Sequence, residues 1–133
     1  MTSLEIALVQ EASGLDPATN RARLAELTPP GADLVVFPEA FARDFGEAGS
    51  DVSAYAEAVD GPFGQEVAAA AASRATTIVV GMFETSADPA RPHNTLLVRG
   101  AAEAAYRKVH LYDSFGYRES DRLLAGPTEP SLV

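Results

Sequence analysis

The sequence has 133 residues, of which 47% are hydrophobic and 22% charged, and its formal net charge is −9 at pH 7. This composition is typical of one soluble globular domain and argues against disorder, because there is enough apolar surface to offset chain entropy. The excess of acidic side chains disfavours binding to nucleic acids and to anionic membrane surfaces, so neither partner is expected.

The chain contains no cysteine, which excludes disulfides, thiolate metal sites and a cysteine nucleophile from these residues. The N-terminus has no basic region before an apolar core, and no apolar stretch is long enough to cross a bilayer. Its two histidines, His93 and His110, lack metal-ligand spacing, and each is expected to form hydrogen bonds near a strand end. We therefore expect a cytoplasmic protein without a metal site.

The first elements of the chain alternate between strand and helix. The apolar run Leu4–Val9 is typical of a buried strand. Asp16 and Pro17 have the pattern of an N-cap followed by proline at the first helical position, which predicts an amphipathic helix over Pro17–Leu27. The sequence Leu-Val-Val-Phe within residues 33–37 predicts a second strand, buried on both faces and ended by Pro38.

The remaining elements continue the alternation and end in a hairpin. We predict a loop over residues 41–61, which could include a short helix at 53–59, and then an alanine-rich helix at 64–76 and a strand at 77–84. A turn-rich segment follows at 86–92. Two further strands, at 95–98 and 104–110, are predicted to pair across a turn at Gly100. Alternating buried strands and helices indicate an α/β fold with a central sheet.

Glu39 follows the second predicted strand directly, in the sequence Phe37-Pro38-Glu39. Ligands bind at the carboxyl ends of strands in α/β sheets. A carboxylate at that edge, next to apolar residues, is a candidate general base. The alternative roles are a helix N-cap or a surface salt bridge, since most acidic residues are structural or solvated.

Lys108 lies in the last predicted strand, on the same alternation as Tyr106 and His110. A lysine that points inward from a strand needs its charge to be paired or lost. If a glutamate also points inward, the glutamate can act as a base, and the lysine beside it supplies a cation that can stabilise an oxyanion. The alternative is an exposed lysine that protects a strand edge.

Taken together, these segments resemble the nitrilase superfamily of carbon–nitrogen hydrolases. The resemblance runs in a fixed order over most of the chain, through Ile6-Ala7-Leu8-Val9-Gln10, Phe37-Pro38-Glu39, Asp60-Gly61-Pro62, Ile78-Val79-Val80-Gly81, His93-Asn94-Thr95 and Tyr106-Arg107-Lys108-Val109-His110-Leu111. It implies an α/β fold, the αββα sandwich of that family, of which this chain would hold roughly the N-terminal half as one sheet with covering helices.

The resemblance also implies roles for three residues in the hydrolysis of a small amide or nitrile. Glu39 would match the general base, and Lys108 the lysine that stabilises the tetrahedral intermediate. Glu119, within Tyr117-Arg118-Glu119-Ser120, would match the second glutamate, which orients the lysine; its alternative is a solvated loop carboxylate. The family uses a cysteine thiolate as nucleophile and no metal or organic cofactor, and its subunits often pair, which makes a homo-oligomer an expectation.

The chain departs from the family in one respect, since no cysteine follows Lys108. We expect residues 1–133 to form a single partial domain that is truncated before the nucleophile and is inactive by itself. We also expect one apolar face of the sheet to lack its partner sheet. The alternatives are a non-catalytic module that binds a partner chain or small amide, and an unrelated doubly wound domain that binds a small ligand at the strand ends.

Overall fold

The computed structural model describes residues 3–129 and 132. In chain order, the elements are strand β1 (Ile6–Leu8), helix α1 (Pro17–Leu27), strand β2 (Leu34–Val36), a 3-10 turn (Ser53–Tyr55), helix α2 (Pro62–Arg74), strands β3 (Thr77–Glu84), β4 (His93–Arg99), β5 (Ala104–Arg107), β6 (Asp113–Ser114) and β7 (Tyr117–Arg118), and a second 3-10 turn (Glu119–Asp121).

The main sheet has five strands in sequence order, β1-β2-β3-β4-β5. Strands β1, β2 and β3 run parallel, and α1 and α2 form the crossovers between them. Strands β3, β4 and β5 are antiparallel, and β6 and β7 form a separate two-stranded hairpin. The expected mixed α/β architecture, with one sheet and two covering helices, is therefore confirmed.

Both helices begin where their local sequences favour it. The Asp16 carboxylate caps α1 by accepting from the backbone N–H groups of Ala18 and Thr19. Helix α2 starts with Pro62 at its first turn and ends at Arg74, and the next residue, Ala75, adopts a left-handed conformation that glycine usually supplies. The limits of α1 and β3 agree with the sequence prediction to the residue.

The main core lies between the helices and one face of the sheet. Leu24 of α1 and Val67 of α2 are fully buried there against Val35, Ile78 and Val80 of the sheet. Since side chains alternate across a strand, the residues between these core positions lie on the opposite face. The helices thus cover only one side of the sheet.

The opposite face of the sheet, which we call the open face, carries exposed apolar side chains. Its large exposed members are Ile6, Leu8, Leu96 and Tyr106. Their register supports the assignment, because Leu8 pairs with Val36 and Leu96 with Tyr106, whereas the neighbouring Ala7, Val35, Leu97 and Ala105 pack into the helix-covered core. This is the uncovered face that the sequence analysis expected.

The structure differs from the sequence predictions in several local features. Strand β1 is exposed at Ile6 and Leu8 instead of buried, because these side chains lie on the open face, and helix α2 spans Pro62–Arg74 instead of 64–76. The helix option at 53–59 is reduced to one 3-10 turn, after which Glu57 forms a bridge to Glu84 of β3. This backbone pairing outweighs a helix in a segment too short to be stable by itself. Strand β5 ends at Arg107, so Lys108 lies one residue beyond it. Among the described residues, neither helix is long and apolar enough to cross a membrane.

We predict that the 133-residue polypeptide, expressed by itself, self-associates through the open face. Leu8, which is 75% exposed there, is the test position, and Leu15, 56% exposed in the loop before α1, is the control. Leu8→Glu should shift the polypeptide toward monomer in sedimentation velocity, because a charge on the face opposes apolar contact. Leu15→Glu should sediment as wild type does. A wild-type chain that stays monomeric at high micromolar concentration would contradict the prediction.

Candidate active site

Glu39 is held over the open face by the loop that follows β2. The Phe37 N–H extends the sheet by donating to the Val79 carbonyl at 2.8 Å, and the Ala42 N–H donates to the Gly81 carbonyl at 3.0 Å. Between them the backbone crosses directly over Gly81, where an added Cβ would lie 2.3 Å from the Ala40 nitrogen. Glycine is therefore required at position 81 because the loop occupies the space of a side chain.

Lys108 continues the line of β5 on the open face. Its backbone N–H donates to the Asn94 carbonyl at 2.8 Å, and its own carbonyl accepts from the Gly126 N–H at 2.9 Å. Lys108 is two residues after Tyr106, so both side chains lie on the same side of the sheet, and both line one hollow. Of the two orientations that the sequence left open for Lys108, the structure shows the one that faces the hollow, although the residue lies just beyond the strand.

Glu119 reaches the same hollow from a different part of the chain. The β6–β7 hairpin folds back so that the Glu119 N–H donates to the Tyr112 carbonyl at 2.9 Å. In return, the Tyr112 N–H donates to Glu119 Oε2 at 2.7 Å. The side chain of Glu119 is only 5% exposed. The alternative of a solvated loop carboxylate is therefore wrong for this residue.

The three side chains form one cluster with the ammonium in the middle. Lys108 Nζ lies 3.3 Å from Glu39 Oε1 and 3.1 Å from Glu119 Oε2. The two carboxylates differ in environment, since the Glu39 side chain is 55% exposed and the Glu119 side chain is buried. The buried carboxylate therefore anchors the ammonium, and the exposed one faces the open side of the hollow.

The charge state of Lys108 follows from these contacts. Partial burial lowers its pKa, but the hydrogen bond to Glu119 and the negative charges of Glu39 and Glu119 outweigh burial. The pKa of Lys108 consequently stands above its ordinary value of 10.5. Lys108 is thus an ammonium at neutral pH, suited to stabilise negative charge and unable to act as a base.

The hollow itself is small and mixed in character. Its volume is about 160 Å³, and it is lined by Glu39, Asn94, Leu96, Tyr106 and Lys108. Charged groups thus lie at one end of an apolar floor, an arrangement suited to a small ligand with one polar group. It gives a carboxylate able to take a proton and a cation able to hold a developing oxyanion within one site.

Asn94 belongs to this site and was not among the predicted site residues. It is buried, and its Nδ2 donates to Glu39 Oε1 at 2.6 Å. The sequence carried a signal for it, since His93-Asn94-Thr95 is one of the segments that resemble the nitrilase superfamily. Its contact with Glu39 joins residues 55 positions apart, which a sequence pattern does not reveal.

A second polar cluster lies behind the site, on the helix-covered face. The buried carboxylate of Glu84 accepts from Thr95 Oγ1 at 2.8 Å and forms an ion pair with Arg107 that involves two guanidinium nitrogens. The hydrogen bond to Glu84 is the main cause that raises the pKa of Arg107. This cluster links β3, β4 and β5 and holds the end of β5 in place immediately before Lys108.

Neither histidine contributes to the site. His93 Nδ1 lies 2.8 Å from the Leu124 carbonyl oxygen, which matches the expected hydrogen-bonding role at a strand end. His110 is exposed, beyond the end of β5. Over residues 3–129 and 132, no group of three or more His, Asp or Glu side chains has the geometry of a metal site.

Comparison with known proteins places the chain in a family. The profile of the family described as carbon–nitrogen hydrolase matches residues 5–131, so the chain belongs to that family. Hydrolase Rv0480c of Mycobacterium tuberculosis is 40% identical over 139 aligned residues, covering 98% of this chain and 48% of the relative. A hydrolase of Pseudomonas protegens is 36% identical, covering 90% of this chain and 42% of the relative. The chain spans about half the length of these curated relatives.

Solved structures agree with the family assignment. XC1258 of Xanthomonas campestris, a CN-hydrolase superfamily protein with an arsenic adduct in its active site, superposes with a TM-score of 0.79 at 32% identity, over 96% of this chain and 48% of that protein. A nitrilase-superfamily amidase of Nesterenkonia AN1 gives 0.71 at 27% identity, over 98% of this chain and 51% of the amidase. The fold is therefore that of the nitrilase superfamily, over about half of its length in these relatives.

Gly81→Ala should disturb the loop that carries Glu39. The new Cβ would meet the Ala40 nitrogen at 2.3 Å, so backbone has to move. Overpacking of this kind costs about 1–3 kcal/mol of unfolding free energy, measurable by urea denaturation. Gly14→Ala is the control, because its nearest neighbour would be 3.5 Å away, and it should be neutral or slightly stabilising. Equal unfolding free energies for the two variants would rule out the close approach at Gly81.

Lys108 is the only lysine in the chain, so a lysine-selective NMR titration reports this side chain alone. The pKa of Lys108 should exceed 10.5, and Glu119→Gln should bring it closer to that value. Because the folded pKa is the higher one, the ion pairs stabilise the fold below pH 10.5. That contribution is lost as pH rises through the folded pKa. Glu103→Gln, which removes an exposed carboxylate elsewhere, is the charge-matched control. A pKa of Lys108 at or below 10.5 would be inconsistent with the cluster.

Proposed function

We propose that this chain is part of a protein that hydrolyses non-peptide carbon–nitrogen bonds in small amides or nitriles. The observation that supports the proposal most is the position of Lys108 Nζ, within 3.3 Å of both Glu39 and Glu119 in one open hollow. Membership of the carbon–nitrogen hydrolase family supplies the reaction class.

The mechanism we propose divides the chemistry among three side chains and a thiol. Glu39 takes the proton of a cysteine thiol as its sulfur bonds to the carbonyl carbon of an amide. Lys108 stabilises the oxyanion of the tetrahedral intermediate, and Glu119 orients the ammonium. Glu39 then returns the proton to the leaving amine as the C–N bond breaks. Water, with one proton taken by Glu39, then attacks the thioester carbon, the C–S bond breaks, the acid leaves, and Glu39 returns the proton to the cysteine sulfur.

The thiol has to come from outside these 133 residues, because the chain contains no cysteine. The relatives are about twice as long as the matched region, which leaves room for a second half that carries one. In a glutamate-to-glutamine mutant of the Nesterenkonia AN1 amidase, acrylamide has undergone Michael addition at the active-site cysteine. A double mutant of that amidase, with the same glutamate replaced by glutamine and a cysteine replaced by alanine, is in complex with acrylamide. These neighbours support an amide as the substrate class. We further propose a cytoplasmic enzyme that forms a homo-oligomer and uses no cofactor.

The test uses the gene product at its natural length, assayed for ammonia release from a panel of small amides and nitriles. Glu39→Gln should abolish acylation and retain the wild-type fold by circular dichroism, because an amide cannot take the thiol proton. Lys108→Ala should lower kcat at least 100-fold, as expected for loss of an oxyanion donor, about 10²–10³-fold. Gln65→Glu, on the exposed surface of α2, is the control and should keep wild-type kcat.

Wild-type turnover in Glu39→Gln would show that the role proposed for Glu39 is wrong. A loss of rate in Lys108→Ala that cooling restores would indicate a stability effect instead of a catalytic one. The 133-residue polypeptide by itself should release no ammonia, because removing a nucleophile commonly costs several orders of magnitude.

A second candidate function is a non-catalytic module that binds a partner chain or a small amide. The absence of cysteine and the open apolar face favour it. The gene sequence beyond the Val133 codon separates the two candidates. A continuing reading frame with a cysteine on a strand-to-helix turn supports the hydrolase, and a stop codon at that point supports the module.

A further inference from the structure

We infer that Asn94 is a positioning residue that sets which oxygen of Glu39 acts as the base. The inference deepens the proposed function and rests on it. The Asn94 side chain donates to Glu39 Oε1 at 2.6 Å, a shorter contact than the 3.3 Å from Lys108 Nζ to the same oxygen. A half-exposed glutamate side chain would otherwise rotate freely, so the amide fixes its terminal torsion.

The two oxygens of the Glu39 carboxylate differ in the hydrogen bonds that they accept. Asn94 and Lys108 both donate hydrogen bonds to Oε1, and among the described residues no hydrogen bond to Oε2 is formed. An oxygen that already accepts two hydrogen bonds is a poorer proton acceptor than its free neighbour. Oε2 is therefore the oxygen that takes the thiol proton, and Oε1 is the oxygen held by the protein.

Asn94 also contacts the cation through its backbone. Its carbonyl accepts from the Lys108 N–H at 2.8 Å, so a single residue bonds to the base with its side chain and to the lysine with its main chain. Asn94 is itself rigid, because it is 5% exposed and lies opposite Phe83 in the β3–β4 register. One buried residue of β4 thus helps to fix the distance between Glu39 and the Lys108 ammonium, which Glu119 anchors.

The neighbouring Thr95 provides a matched control. Thr95 is also buried on β4, but its side chain lies on the opposite face and donates to Glu84 Oε2 at 2.8 Å. Thr95→Val and Asn94→Leu each remove one buried hydrogen-bond donor from a carboxylate with little change in shape. Both variants lose stability, and only the second changes the environment of Glu39.

The experiment measures kcat, KM and the pH–rate profile of the natural-length protein with the amide that it turns over fastest. Asn94→Leu and Asn94→Asp should lower kcat about 10- to 100-fold with KM nearly unchanged, because the base is misoriented and substrate contacts remain. Both should also move the acid limb of kcat/KM to higher pH, since one removes a donor to the carboxylate and the other adds a like charge. Thr95→Val should leave the acid limb unchanged.

The outcomes separate this inference from the proposed function. If wild type is active, Glu39→Gln is inactive and both Asn94 variants keep the wild-type kcat and acid limb, the role of Asn94 is overturned and the hydrolase proposal stands. If wild type is inactive or Glu39→Gln is fully active, the proposed function fails, and the inference fails with it.

If the Asn94 variants do not fold, a second measurement tests the inference with Asn94 unchanged. In NMR spectra of the same protein, Glu39→Gln should shift the side-chain amide protons of Asn94, because they lose a carboxylate acceptor. The side-chain amide signals of Asn20, a buried asparagine bonded to Gly14 and Ala42, serve as the internal reference and should not move. An unshifted Asn94 amide would overturn the inference.

Discussion

The cluster of two carboxylates around one ammonium is the interaction on which the site depends. Glu39 and Glu119 carry like charges, and the 3.1–3.3 Å contacts of Lys108 with both keep them in one hollow. The two carboxylates differ in accessibility, because Glu119 is buried and holds the ammonium, whereas Glu39 is exposed. Removing the cation would leave two carboxylates in one site, one of them buried, which is costly.

Three features of the backbone bring these side chains together. The missing side chain of Gly81 lets the loop after β2 lie on the sheet, the ladder between β4 and β5 extends to Lys108, and the β6–β7 hairpin returns Glu119 to the same hollow. The buried Glu84–Arg107 pair supports the arrangement from the other face. The site is therefore assembled on the sheet from loops that begin at the ends of its strands.

The open face connects the fold to the proposed activity. The cluster lies at the end of an apolar sheet surface that the two helices do not cover. The chain spans about half the length of its curated relatives and contains no cysteine. Glu39 and Lys108 therefore lie at the border of this surface, where, under the proposed function, a further part of the protein would supply the thiol.

The sequence by itself determined the α/β class, the exact limits of α1 and β3, and the family, because helix caps, buried apolar runs and motif order are local signals. It also indicated Glu39, Lys108 and Glu119 as candidates, while leaving a structural or solvated alternative open for each. Only the tertiary structure decided that Glu119 is buried against Lys108 and that Asn94 holds Glu39. Those contacts join distant residues through strand register and loop closure, which no local pattern specifies.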